Sequence, residues 1–321
     1  MNQTAKTWLI AGAVLLLVGM TGFVCVMSLN GWNFAAFSDS EFITTEVDIR
    51  EAFESISIRS DTEDIAFVPS ENGKCSVVFH EKAKERHTAS VKGGTLQIEQ
   101  SDTRTWKDRI SFFSFGTPTI TLYLPQGGYG SLFIEESTGD ISIPKEFTFE
   151  NMDISSSTGN VDCSASASGP VRIAAGTGDI RIGDISAGSL DLSVSTGKVE
   201  VRSAACSGDV RVTVGTGQAV LSGLSCRNLS SAGDTGRLTM EDVVCTGTLT
   251  VERNTGDVRF ERCDASELQI TTSTGNVTGS LLSEKVFIPR SSTGKIDVPE
   301  TASGGKCRIT TNTGDIKITV P

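Results

Sequence analysis

The sequence predicts an all-β protein, a single-stranded β-solenoid (β-helix) of about ten rungs of 19–20 residues, preceded by one N-terminal transmembrane helix. Three observations carry that prediction. A Thr-Gly pair recurs ten times between residues 138 and 314, apolar residues alternate at every second position on both sides of it, and a long uncharged stretch precedes the whole.

The uncharged stretch runs from Trp8 to Leu29, 22 residues, enough to cross a bilayer core of roughly 30 Å as a helix. No small-x-small cleavage site follows it, so it reads as an uncleaved anchor. Lys6 lies before it and Asp39 and Glu41 after it. The positive-inside bias then leaves residues 1–7 as a cytoplasmic tail and everything past a 30–40 linker outside the cell membrane.

Residues 41–130 carry no Thr-Gly period but alternate like strands in "ESISIRS", "DIAFVPS", "CSVVFHE", "GTLQIEQ" and "TITLYLPQ". This segment reads as an irregular β lead-in or cap. From about residue 131 the repeat runs to residue 321.

The repeat glycines are Gly139, Gly159, Gly178, Gly197, Gly217, Gly236, Gly256, Gly275, Gly294 and Gly314, spaced by 20, 19, 19, 20, 19, 20, 19, 19 and 20 residues. The threonines before them, Thr138, Thr158, Thr177, Thr196, Thr216, Thr235, Thr255, Thr274, Thr293 and Thr313, form a uniform structural ladder, expected to exchange hydroxyl hydrogen bonds along a stack. Around Gly197 the inward candidates are Leu190, Leu192, Val199 and Val201; around Gly178 they are Val171, Ile173, Ile180 and Ile182. Period-two alternation on each side of a fixed Thr-Gly makes two strands and a tight corner, with glycine supplying a backbone conformation other residues adopt at a cost.

Hairpins and solenoid rungs could both use such a unit, and charge decides between them. Six residues before the glycine the chain reads Asp153, Arg172, Asp191, Arg211, and three after it Asp162, Arg181, Glu200. Within a repeat these are like charges, which opposed hairpin strands would suffer for; between repeats they alternate. Stacked rungs convert the pattern into salt-bridged ladders on a column on the order of 45–50 Å long.

The same residues argue against several chemistries. The "STGK" here is followed by strand instead of helix, so it is no phosphate loop. One acidic residue per rung, often replaced by Lys or Arg, is no calcium β-roll. A net charge of −11 with no basic run argues against nucleic acid. A carboxylate pair at Asp153 and Asp162 could serve a glycosidase, but Arg172 and Arg181 make a salt ladder the more economical account. Cys206, Cys226 and Cys245 each fall nine residues after a glycine, in a column whose other members, Ser168, Ala187 and Ala265, are small. That is a tight inward corner, and a straight ladder of thiols is a poor tetrahedron for a metal. His80 and His87, in "HEKAKERH", read as part of a solvated hairpin. No catalytic, cofactor-binding or metal-ligating residues are expected.

Two stretches are candidates for partner contact. Trp106, Phe112, Phe113 and Phe115 cluster in "WKDRISFFSFGT", which either plugs the solenoid's open end or stands exposed. Ile316, Ile318 and Val320 finish the last rung with no cap after it, which points to self-association or to docking of a partner's strand.

The "LYLP" strand at Leu122–Pro125, then "IEESTGDISI", "GTGDIRI" and "NTGDVRF", resemble the bacterial DUF4097 family of putative adhesins over roughly residues 41–321. The resemblance implies a right-handed β-solenoid of the cell envelope with no catalytic residues to carry over. The expected function is a non-enzymatic, membrane-anchored envelope interaction or sensing module, adhesin-like, whose partner is an envelope protein, a wall polymer or a second copy. The alternative is a carbohydrate-active β-helix enzyme, which would want aromatic sugar platforms, and residues 131–321 contain no Trp and no Tyr. Ice binding would want paired Thr-x-Thr, and the residue two before the glycine varies among Ser, Gly, Asp and Asn.

Overall fold

A computed structural model describes residues 3–29, 31–32, 42–83, 85–102 and 116–321. Residues Gln3–Leu29 form the helix, and 24 of them, Lys6–Leu29, make a span apolar enough to cross a membrane, with Met27 its one buried residue. The rest is a β-solenoid of about ten turns.

Successive rungs pair in parallel, each residue opposite its counterpart one repeat away: Val171 on Leu190 and Ile173 on Leu192 before the corner, Ile180 on Val199 and Ile182 on Val201 after it. The inward residues so aligned are buried in one continuous core. Solenoid stacking, not hairpin pairing, is therefore what the charge alternation encodes.

The corner explains the invariant glycine. Gly217 has φ 139°, and a Cβ there would lie 1.8 Å from the Gly197 carbonyl oxygen. Every repeat glycine faces the rung before it in the stack in this way, so a side chain is excluded by backbone. The threonine column stands in register as expected. Its bonding differs: the glycine N–H donates to the next threonine carbonyl, as in Gly159 N to Thr177 O at 2.9 Å, and no hydroxyl-to-hydroxyl bond joins the column among the described residues. A second ladder runs through the residue after the glycine. Asp140 Oδ1 accepts from Asn160 N at 2.7 Å, Asn160 Oδ1 from Asp179 N at 3.1 Å, and Asp179 Oδ1 from Lys198 N at 3.0 Å. A further bend six residues past the glycine puts Asp184, Ser203, Gly223, Asp242 and Arg262 at φ of 50–59°.

The charge ladder forms in part. Arg172 pairs with Asp191 at 3.7 Å and Arg181 with Asp162 at 3.3 Å. Asp153 stands beside Arg172 in register.

At both ends the stacking order departs from the chain order. Ser55–Ser60 and Asp64–Pro69 form a full rung beneath residues 132–142, with Thr62-Glu63 where the others have Thr-Gly. Thr95–Asp102 and Thr119–Leu124 form another rung beneath that one. Antiparallel strands Cys75–Lys82 and Glu85–Lys92 close the stack, and Phe42–Ile49 pairs with the former. The lead-in thus contains two rungs and a cap.

At the other end the final rung, Gly305–Thr313 with Ile316–Thr319, inserts between Glu267–Leu281 and Lys285–Asp297. The side-chain ladder confirms the order, since Asp315 N donates to Asn276 Oδ1 and Lys295 N to Asp315 Oδ1, both at 2.8 Å.

Candidate functional site

A cleft of about 760 Å³ opens on the wall of the first rungs. Its aromatic side is built by Phe53 and Tyr129, nearly parallel at 6.1 Å and 18°, with Phe149 packed on Tyr129 at 5.9 Å. Tyr129 is fixed by its hydroxyl, which donates to Pro125 O at 2.8 Å, and burial pushes its phenol up to about 12. Glycine lets these parts meet. A Cβ at Gly130 would come within 2.8 Å of Ser55 Oγ and 3.3 Å of Glu54 O, so glycine lets the 53–55 segment approach this strand without a shift.

The cleft exists because the inward column changes size. Tyr129 and Phe149 are followed in register by Ala167, and further along the same corner come Ala187 and Cys206. Thr148, Ser166 and Ser186 line the cleft alongside this change from aromatic to small residues. Glu54 and Glu150 stand exposed at the rim.

Behind the cap lies a buried polar chain. His87 Nδ1 bonds Glu81 Oε2 at 2.9 Å, and His87 Nε2 faces Glu63 Oε2 at 3.6 Å. Ser60 Oγ joins Glu63, at 3.0 Å, to Glu136. Arg86 Nε reaches Glu81 Oε1 at 3.3 Å from the outside. Burial, reinforced by Glu63 and Asp61, raises the Glu136 carboxyl to about 7 against the hydrogen bonds from Ser60 and Thr138. The solvated hairpin expected around His87 is thus corrected. Glu81, Glu85 and His87 are buried because their strands lie across the solenoid's end with alternate residues turned inward. His80 is half-buried, stacked on Phe42 at 4.9 Å.

The candidate contacts fare differently. Trp106, Phe112, Phe113 and Phe115 lie outside the described residues; the strands flanking them end and begin at a corner of the outermost parallel rung. Ile316 and Ile318 do not form an open end. They are 0% and 3% exposed because their rung is sandwiched, and Val320 packs against the core. The terminal rung is 285–298 instead, with Ile296 45% exposed. Its surface was hidden in the sequence because the repeat pattern does not state stacking order.

The cysteine column is confirmed for Cys206, Cys226 and Cys245, with Ala167 in the place expected for Ser168, which is exposed. Cys226 and Cys245 place their sulfurs 3.5 Å apart. Burial pushes the Cys206 and Cys263 thiols up to about 11, away from the reactive thiolate. Among the described residues no three His, Cys, Asp or Glu side chains are grouped to hold a metal. Among the described residues one cation is buried without a carboxylate: Arg253, which donates to Ser231 Oγ at 2.9 Å and fills the space left by Gly233. Burial lowers its guanidinium to about 10.

In-register parallel rungs following an apolar helix, with a cleft on the side of the stack, define a β-solenoid protein. Comparison with protein families narrows this. The chain belongs to the Toastrack DUF4097 family, whose model matches residues 53–219 and 204–321. That match begins where the first solenoid rung begins.

Two solved structures from Parabacteroides distasonis ATCC 8503 are similar. A putative adhesin has a TM-score of 0.55 at 11% identity, covering 76% of this chain and 98% of that one. A putative lipid binding protein has a TM-score of 0.51 at 18% identity, covering 75% and 98%. At these identities the likeness is one of fold. No curated protein sequence matches the chain.

Proposed function

We propose that this protein is a non-enzymatic interaction module of the cell envelope, held in the cell membrane by residues 8–29 with its solenoid outside and engaging its partner through the lateral cleft. The observation that carries the reading is the pairing of a stacked β column with an apolar, almost wholly exposed span of 24 residues. A span of that length stably anchors whatever follows it. Lys6 before the span and acidic residues after it favour export of the solenoid. The solved structure of similar fold named a putative adhesin supports a binding role over a catalytic one.

Protease treatment of intact cells tests the topology. The full chain should sediment with membranes and lose its solenoid to external protease. A carboxyl-terminal tag protected in intact cells but not in lysates overturns the orientation, and a chain released in soluble form overturns the anchor.

A further inference from the structure

We infer that the cleft beside Tyr129 takes a glycan, a neutral or amino-sugar chain lying along the solenoid axis; the inference rests on the cleft being the functional surface. The first support is the kind of hydrogen bonding available there. Thr148 and Phe149 lie inside the parallel ladder, paired with Gly128 and Tyr129 on one side and with Ser166 and Ala167 on the other, and Gly130 N donates to Glu54 O where the 53–55 segment meets the next strand. A peptide strand finds little open edge along this part of the wall. What the cleft offers is side-chain chemistry: hydroxyls and two carboxylates, partners suited to the many hydroxyl and amide groups of a sugar.

The hydroxyls also have a spacing. Thr148 and Ser166 are in register, and Ser186 N donates to Ser166 Oγ at 3.0 Å, so Thr148, Ser166 and Ser186 form a row climbing one rung at a time. Rungs repeat at about 4.8 Å, close to the length of one pyranose in an extended chain. The cleft spans five rung levels, from Phe53 to Ser186, roughly 19 Å at that spacing. That accommodates about four sugars.

The aromatic side supplies a surface of the right character. Phe53 and Tyr129 are half-buried rings anchored from behind, so their outward parts are presented without loss of side-chain freedom on binding. Sugars carry an apolar C–H face that packs on such a ring.

Charge then selects among glycans. Among the described residues no Lys, Arg or His lines the cleft, while Glu54 and Glu150 do, and the chain carries a net charge of −11. Polymers rich in phosphate or uronic acid are repelled; neutral and amino sugars are not.

The test uses the full chain in detergent micelles, with end-labelled chitohexaose and cellohexaose as probes and polygalacturonate and an oligolysine peptide as controls. Binding should strengthen with oligomer length up to about four sugars and then level off. Tyr129→Ala should weaken it about tenfold, the worth of one aromatic platform, whereas Tyr129→Phe should retain it. Tyr129→Ala could also loosen the first rungs, so Ser168→Arg, at an exposed site, provides a block that leaves the core intact and should abolish binding at an unchanged melting temperature. Failure of both neutral probes to bind overturns the inference, as does binding indifferent to Tyr129→Ala and Ser168→Arg. Capture of oligolysine alone overturns the glycan but leaves the interaction module standing. Release of new reducing ends from either probe overturns the non-enzymatic reading itself.

Discussion

Glu136→Gln tests the buried chain at the cap. Glu136 sits on the last inward position before the Gly139 corner, 3% exposed, with Ser60, Glu63 and Asp61 around it. Its carboxyl is raised from 4.5 to about 7, first by burial and then by its acidic neighbours. A folded-state value above the unfolded one means that the native state binds the extra proton between these limits. Stability is then fully present below about 4.5 and is lost as pH rises through about 7. The displacement is worth roughly 3 kcal/mol, reduced to about 2 kcal/mol by solvent screening at the cap edge. Glutamine keeps the shape and both hydrogen-bond partners but cannot ionise. Because repeat proteins open locally, the assay is hydrogen exchange of residues 55–60 and 132–136 between pH 5 and pH 8, corrected for intrinsic exchange. Wild type should lose about 2 kcal/mol of protection across that range, and the variant should stay nearly flat. Glu63, Glu81, Glu85, His87, Asp61, Lys82, Arg86 and Asp102 are common to both proteins, so the difference between them isolates Glu136. Equal slopes in the two proteins would refute the argument.

Gly217→Ala places a methyl 1.8 Å from the Gly197 carbonyl at φ 139°, and should cost about 3 kcal/mol or more, read as a new proteolytic nick or a second melting transition dividing the column near that rung. Gly233→Ala puts a methyl 1.6 Å from Arg253 Nη1 and should destabilise by about 2–4 kcal/mol. Arg253→Met in that background should recover only part of the loss in a urea midpoint, because the methyl also meets the Val214 carbonyl at 2.5 Å; no recovery would mean that the backbone contact alone sets the cost. Ile318→Lys buries a charge between two rungs and should expose residues 285–320 to protease, while Ile296→Lys, on the outer rung, should not. The opposite ranking would return Ile318 to the open end.

The interior of the column was legible because its constraint repeats. One backbone approach, glycine over the preceding glycine carbonyl, forces one residue type every 19–20 positions, and strand alternation on either side sets what faces in. The first rung escaped notice for a reason contained in the same rule. A repeat glycine lacks a side chain because its Cβ would point at the corner preceding it in the stack. At Glu63 no Thr-Gly corner lies on that side, so the side chain projects into the cap and meets His87. The signal was present in "SDTEDIAF", which has the Thr and Asp-Ile of "STGDISI" with only the glycine replaced. The cleft was less legible still. Tyr129 falls just before the regular repeat, and its partners Phe53, Phe149 and Ser186 come from segments up to 133 residues apart in the chain.

The reversed order at the carboxyl end follows from Pro289, and it bears on where a partner binds. A rung inside the column must be paired on both faces, and Gly305–Thr313 can do so, with Cys307 and Ile309 fully buried between neighbours. The rung Lys285–Thr293 carries Pro289 in its strand and buries its apolar residues only in part. Proline removes a ladder donor and is tolerated at a sheet edge. Placing this rung outermost puts the defect where pairing is not required. The 298–304 connection then ties back onto it, since Thr301 donates to Lys285 O and Ser303 to Glu284. Antiparallel strands close the other end, carrying Lys82, Arg86 and Lys92. Both termini of the column are thereby blunted against strand addition, as natural edge strands are. A partner that extended the stack would have to displace a proline-bearing edge or a cap held by a buried polar chain. A partner lying along the wall meets neither obstacle, which is why the lateral cleft, and not the end of the solenoid, is the surface on which the binding function is placed.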